Sequence, residues 1–304
     1  MRGAIEVGPP RRVVLSRKGF DSGYGGMPSP ILPDGQLVAL PIPASHDHFT
    51  MSDLRLEDVD LGALLGDLSN GRHSLQSLIH LDPDLDRNPD RCLAGWRPSL
   101  GQTGGAQSHL NDSGVGPGDV FLFFGWFRQV ERREGRWCYE RSAPDLHVLF
   151  GWLEVDEVLR IVTDRQRCLE RHPWIADHPH VANPTHYTDP RNTLYIASRS
   201  SRLVPRDVGG GRFVAFRPEL QLTMPGRTRS VWRLPSWMLP TPGSKPLSYH
   251  GDIGRWSRDD DGCVLRSVGK GQEFVLDVEH YPQALPWLDS LVRAGRAMDN
   301  GSLA

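Results

Sequence analysis

Between Gly116 and Val155 the chain sets out three strand patterns in succession, and this stretch constrains the fold more than any other. Gly116-Pro117-Gly118-Asp119 reads as a turn into a very apolar strand from Val120 to Phe127. Arg132-Arg133-Glu134-Gly135 reads as a second turn, and Trp137-Cys138-Tyr139 and Leu146 to Val155 as further strands. A β-meander with aromatic residues on both faces has to be packed on both sides or line a cavity. The 32 glycines and 25 prolines exceed the ~12% share usual in globular chains, and predict many turns, short strands and few long helices. The expected fold is therefore α+β and mainly β: a curved or barrel-like mixed sheet with a few short helices.

Other segments fit that frame. Arg12 to Ser16 reads as a buried strand that enters a glycine-rich loop at 19–26, and Leu37 to Ile42 reads as a strand after the Pro33-Asp34-Gly35 turn. Leucine spacing predicts a helix near 57–68, with Ser52 or Asp53 as its N-cap. A short helix can open at Thr103, and an amphipathic helix is expected near 283–297. Thr193 to Ala197 and Arg212 to Phe216 read as strands, whereas 170–192 is polar and rich in His and Pro. With no Ser/Gly linker and no internal repeat, residues 11–297 are expected to form one unit between flexible ends at 1–10 and 298–304.

Composition excludes several classes. A net charge of −2 argues against a globally basic coat for nucleic acid, though not against a local basic groove. The longest apolar run, Val120 to Phe124, is far short of the ~20 residues of a membrane helix, and the N-terminus lacks a signal-peptide core. A cytoplasmic protein without membrane partners is expected. Cys92, Cys138, Cys168 and Cys263 are dispersed, which indicates free thiols rather than a zinc ribbon or a disulfide framework. No nucleophile elbow, zincin or kinase motif is present.

Five groups of residues carry chemistry worth testing. Gly23, Gly25 and Gly26 can let the backbone approach an anion, with Asp21 and Ser22 beside it and Arg17 or Lys18 to balance a phosphate; the bland alternative is a tight turn capped by Asp21. Asp82, Asp84 and Asp86 alternate in an extended stretch, so their carboxylates can share a face for acid–base work or cation binding, or form a solvated acidic turn. His109 can serve as a base with Gln102 orienting a substrate, or be structural. The pairs His46/His48 and His178/His180 are both H-x-H, which in an extended chain puts two imidazoles on one face. Either pair, with Asp82 or Asp84 as third ligand, suits mononuclear iron or zinc, although loop histidines are commonly only hydrogen-bonded. Trp126 and Trp152 can stack on a base, or belong to the core.

The stretch from Ser16 to Ile31, with Gly19-Phe20-Asp21-Ser22-Gly23-Tyr24-Gly25-Gly26 at its centre, resembles the opening signature of the nucleotide modification associated domain family, third type. The blocks His80 to Leu85, Gly101 to Leu110, Gly118 to Phe127 and Asn192 to Ser198 look like that family's later blocks, so the resemblance spans roughly 11–290. It implies a place among bacterial and phage systems that modify DNA bases beyond methylation. The implied ligands are a nucleotide, nucleobase or DNA, and the implied partners are other DNA-modification proteins. No reaction or cofactor follows from it. Gly118 to Gly125 with His147 to Trp152 is also similar to strands of PUA-like barrels, modules that bind nucleic acid or modified bases. Three readings result. One is an enzyme or accessory factor of base modification built on Asp21, Ser22, Asp82, Asp84 and His109. The second is a non-catalytic reader using Trp126 and Trp152. The third is a metal-dependent oxygenase built on the histidine pairs.

Overall fold

The computed structural model describes residues 9–296, except 55, 57, 88, 89, 91, 206 and 270. The expected flexible ends lie, apart from Pro9 and Pro10, outside the described residues. In chain order the strands are β1 (Arg12–Arg17), β2 (Ser29–Ile31), β3 (Phe49–Thr50), β4 (Leu78–Ile79), β5 (Ser99–Gln102), β6 (Val120–Arg133) and β7 (Arg136–Tyr139). They continue with β8 (Leu146–Arg160), β9 (Thr193–Ala197), β10 (Gly210–Arg212), β11 (Val231–Leu234), β12 (Trp256–Asp259), β13 (Gly262–Arg266) and β14 (Glu273–Asp277). The helices are α1 (Leu61–Ser69), α2 (Gly104–Asp112), α3 (Ile161–Arg171), α4 (Pro179–Ala182), α5 (Pro184–Tyr187) and α6 (Ala284–Arg296).

The apolar meander is the spine of a nine-stranded mixed sheet of order β14-β1-β6-β8-β9-β5, with β2, β7 and β10 attached to its two long strands. β1 runs parallel to β6, Val13 opposite Val120, and every other pair along that path is antiparallel. The sheet is open and does not close into a barrel. Its two path ends nevertheless approach each other through side chains: Gln102 on β5 donates from Nε2 to Glu273 Oε1 on β14 at 2.6 Å. The candidate site lies beside this contact, in a cleft that Gln102 borders.

Packing on both faces explains the unbroken apolar run. Phe121, Leu122, Phe123 and Phe124 have no exposed surface, and the Phe121 and Phe123 rings stack with centroids 6.1 Å apart. One face meets α6 through Leu288, Leu291 and Val292. A second cluster forms beneath α1 from Phe20, Met27, Leu64, Leu65 and Val130, and a third around Ile161, Trp174 and Val181. All four cysteines are free, and no helix among the described residues is long and apolar enough to cross a membrane.

Two expected strands differ. Leu37 to Ile42 forms no ladder: it bridges only at Leu37, with isolated bridges at Gln36 and Pro43 on either side, and Pro41 and Pro43 lack the N–H groups a continuous ladder needs. The strand expected over Arg212 to Phe216 lies instead at Gly210–Arg212, in the glycines that pair with β8, and beyond Arg212 only Ala215 makes an isolated bridge. The helix near 57–68 is α1, capped by Asp60, whose side chain accepts from Ala63 N at 2.9 Å; Thr50 and Asp53 instead form a capping box on a short 3-10 turn. α2 opens at Thr103 as expected.

Two core histidines give the fold a pH dependence. His147 Nδ1 accepts from Trp232 Nε1 at 3.0 Å, and burial pushes this imidazole down to about 3. His250 Nε2 accepts from Val268 N, and burial pushes it down to about 4. Both are therefore neutral when folded and take up protons near pH 6.5 when unfolded. Stability is present above pH 6.5 and is lost as pH falls toward the folded values. Each group costs about 1 kcal/mol between pH 6.5 and 5.5. His147→Gln should therefore shrink the difference in unfolding free energy between those two pH values, measured by denaturant, by about 1 kcal/mol.

Candidate functional site

The site is built where three chain segments meet around Asp82. Lys18 follows directly from β1, Asp82 from the chain after β4, and His178, His180 and His186 from the polar segment 170–192. That segment folds as very short helices, each started by an N-cap followed by proline. His178 Nδ1 accepts from His180 N at the start of α4, and Asn183 Oδ1 from Thr185 N at the start of α5. This brings His180 and His186 side by side, their rings stacked at 4.7 Å, with His80 at 5.2 Å from the first and 4.8 Å from the second.

Asp82 is the centre of this group. Its Oδ1 accepts from Gly101 N at 2.5 Å and lies 3.7 Å from His178 Nε2; its Oδ2 lies 3.5 Å from Lys18 Nζ and 4.0 Å from His180 Nε2. Burial opposes the Asp82 charge, but Lys18 and the surrounding imidazoles outweigh it and the carboxyl falls to about 2. Burial drives His180 well below its ordinary value and His178 down to about 3, so both are neutral at pH 7. Lys18 also lies 3.7 Å from Glu273 Oε1, and burial raises Glu273 against the pull of that ammonium. His80 Nδ1 bonds Asp47 Oδ2 at 2.7 Å, and Asp47 Oδ1 accepts from Asn183 at 2.5 Å. Burial works against the Asp47 charge too, yet these hydrogen bonds hold its carboxyl below the usual range.

A cleft of about 610 Å³ is bordered by His80, Asp82, His180 and His186 on one side and by Lys18, Asp21, Tyr24 and Gln102 on the other. A second cleft, of about 900 Å³, is lined by Ser22, Gly23, Trp126, Arg227 and Arg229. The two share Arg17, Lys18, Gly19, Asp21, Tyr24 and Gly269. Arg17 donates to the carbonyls of Val268 and Gly269, and its pKa is lowered by burial and by the like charge of Arg229. Arg229 lies over the Trp126 ring at 4.2 Å, and the buried Trp126 Nε1 has no hydrogen-bond partner.

The residues singled out from the sequence fall into three sets. Asp21, Asp82, Gln102, Arg17 and His180 border the smaller cleft, and Ser22, Gly23 and Trp126 the larger one. Asp21 Oδ1 accepts from Gly23 N and Tyr24 N, both at 2.7 Å, so it caps its turn; Oδ2 makes no hydrogen bond among the described residues. Gly25 and Gly26 take positive φ and form the turn itself, Gly25 lying against the Phe20 ring. The remaining residues lie elsewhere. The three aspartates of 82–86 do not converge, because each faces a different cation. Asp84 is buried against Arg87 at 2.5 Å and Trp96 Nε1, and Asp86 pairs with Arg212. His109 Nε2 meets Ser248 Oγ at 2.9 Å, beside Tyr249. Trp152 is wholly buried in the main core, which leaves it no face for a base.

The histidine pairs divide in the same way. His46 and His48 are exposed, and it is the residue between them, Asp47, that points inward. Both members of the second pair adjoin Asp82. Sequence reasoning passed over His80, His186, Asn183 and Asn192. The first stood in the segment read for its aspartates, and the others in a stretch read as polar loop or strand edge. Among the described residues, the ligand atoms of His80, Asp82 and His180 lie within 4.8 Å of one another, as do those of Asp47, His80 and His186.

No curated protein and no solved structure matches the chain significantly. The family model described as nucleotide modification associated domain 3 matches residues 12–277, which includes Lys18, Asp82, the histidine cluster and both clefts. The chain belongs to the nucleotide modification associated domain 3 family.

Proposed function

We propose that the protein acts in nucleotide or DNA-base modification by binding a nucleotide, free or within DNA, across the two joined clefts. The supporting observation is their shared wall: the 17–24 segment borders a cationic, aromatic cleft on one side and the Asp82–histidine cluster on the other. Arg17 and Arg229 repel each other there, and a phosphate between them would relieve that repulsion through charge-assisted hydrogen bonds. Trp126 supplies an aromatic surface to the larger cleft. The base would then reach the end that carries a fixed carboxylate and neutral imidazoles, groups suited to moving a proton. Asp21, at the junction, holds its turn with one oxygen and presents the other.

The test is nucleoside mass spectrometry of DNA from cells carrying the intact gene and its active neighbours, compared with cells in which the gene is deleted or carries Asp21→Asn. Asparagine keeps the Oδ1 acceptor, so the variant should fold normally and lower the modified nucleoside about 100-fold, the scale of losing an acid–base group. An unchanged profile in the deletion overturns the modification reading. Full activity of the Asp21→Asn protein returns Asp21 to a turn residue. The non-catalytic reader rests on Trp126 alone, because Trp152 is enclosed. It would be favoured if purified protein bound a modified nucleoside while the deletion left the profile unchanged.

A further inference from the structure

We propose that His80, Asp82 and His180 form a binding site for one divalent first-row transition-metal ion. Their three ligand atoms already lie within 4.8 Å of one another. Two imidazoles and one carboxylate are a donor set that suits Fe²⁺, Mn²⁺, Co²⁺ or Zn²⁺.

The surroundings of the three residues carry the proposal beyond their mere proximity. A metal-ligating histidine is characteristically held through its other ring nitrogen by a carboxylate or carbonyl. Both histidines here are held so. His80 Nδ1 faces Asp47 Oδ2 at 2.7 Å; the carboxylate can only accept, which fixes the Nδ1–H tautomer of the neutral ring and turns the Nε2 lone pair to the ion. His180 Nδ1 faces Asn192 Oδ1 at 2.8 Å. The Asn192 amide is fixed in that orientation because its Nδ2 donates to the His180 carbonyl at 2.6 Å. Nε2 of His180 is therefore also a lone pair, 4.0 Å from Asp82 Oδ2.

Asp82 is anchored through its other oxygen by Gly101 N. His178 Nε2, buried and without a hydrogen-bond partner, faces that same oxygen at 3.7 Å. The alternative grouping of Asp47, His80 and His186 is weaker, because both Asp47 oxygens are already engaged by His80 and Asn183. All three proposed ligands border the 610 Å³ cleft, so an ion held by them keeps coordination positions open to whatever occupies it. Lys18 balances Asp82 now and has Glu273 as a second carboxylate when an ion takes its place. Metal binding does not depend on which substrate the cleft accepts.

The probe is Co²⁺ alone, titrated into the untagged full chain after treatment with chelator, and followed by visible absorption and equilibrium dialysis. The expected result is one ion per chain. Asp82→Asn and His180→Gln should each weaken binding at least 100-fold, and Asn192→Ala by 10–100-fold through the lost orientation of His180. His46→Ala and His48→Ala should leave binding unchanged. Because the ligand variants sit in a buried cluster, a second measurement uses the wild type: Co²⁺ should broaden the imidazole NMR signals of His80, His180 and their neighbours before any others. Absence of a stoichiometric ion, undiminished binding in folded ligand variants, or broadening centred on His46 and His48 would each overturn the site.

Discussion

Replacing Lys18 by methionine is expected to destabilise the protein by about 3–5 kcal/mol at pH 8, the cost of breaking a buried ion pair from one side. The Lys18 side chain is 10% exposed, and its ammonium is the cation shared by Asp82 and Glu273, whose side chains are 3% and 0% exposed. Methionine fills the same space and removes the charge, leaving two carboxylates beside His178 and His180, which are neutral. Glu273 relieves this by taking up a proton, since burial already raises it.

The loss should therefore depend on pH. A carboxyl raised in the folded state contributes most below its unfolded value near 4.3 and loses that contribution as pH rises through the folded value. Lys18→Met should thus lie closer to wild type at pH 5 than at pH 8. Adding Glu273→Gln, which keeps the acceptor for Gln102 Nε2, should recover part of the stability. Chemical denaturation of the four proteins of that cycle checks both statements. A Lys18→Met protein as stable as wild type at pH 8 would mean that the two carboxylates do not depend on this cation.

The same cluster shows what the sequence made legible. Strand formation followed from local apolar patterning, so the meander, β1, β9 and the helix opened at Thr103 were all readable. The small β11–β13 sheet was not, because four residues such as Val231 to Leu234, with only Trp232 and Leu234 buried, are too few to establish a period. Site geometry was harder because its spacing is not periodic. The alternation at 46–48 was read for its histidines, yet an extended chain that turns one of its faces to solvent turns the other inward, and Asp47 is on the inner one. Asp82 and Asp84 alternate correctly, but cations on different elements, Lys18 and Arg87, draw them apart. The histidines at 178, 180 and 186 had a local signal in the His-Pro and Asn-Pro helix starts. What no local pattern could supply was the partner of each imidazole, since Asp47 and Asp82 come from distant segments and Asn192 from the far end of the segment that holds His180.

Gly101→Ala is the second change with a large expected effect, about 2–6 kcal/mol of lost stability, and it originates in contact. Gly101 does not occupy the positive-φ region, so alanine meets no backbone strain there. A Cβ at this position would fall 2.1 Å from Cδ2 and 2.2 Å from Cγ of the His180 ring, far inside contact distance. The ring is fixed on its other side, with Nδ1 on Asn192 Oδ1 and the Asn192 amide on the His180 carbonyl. Overpacking of this kind costs about 1–3 kcal/mol, and the buried hydrogen bond broken when the ring moves adds about 1–3 kcal/mol. If the ring holds its place, the strand moves instead and Gly101 N leaves Asp82 Oδ1. Either movement separates Asp82 from His180, so a property that depends on both should fall together with stability. Gly105 is the contrast: it lies in α2 with nothing within 4 Å of an added Cβ. Gly105→Ala should raise stability by about 1 kcal/mol, from helix propensity alone. Denaturation of both variants, with the His180 imidazole signal followed by NMR, separates a steric lock from a general intolerance of alanine. A Gly101→Ala protein with unchanged stability and an unshifted His180 signal would show that the ring is not held against the strand.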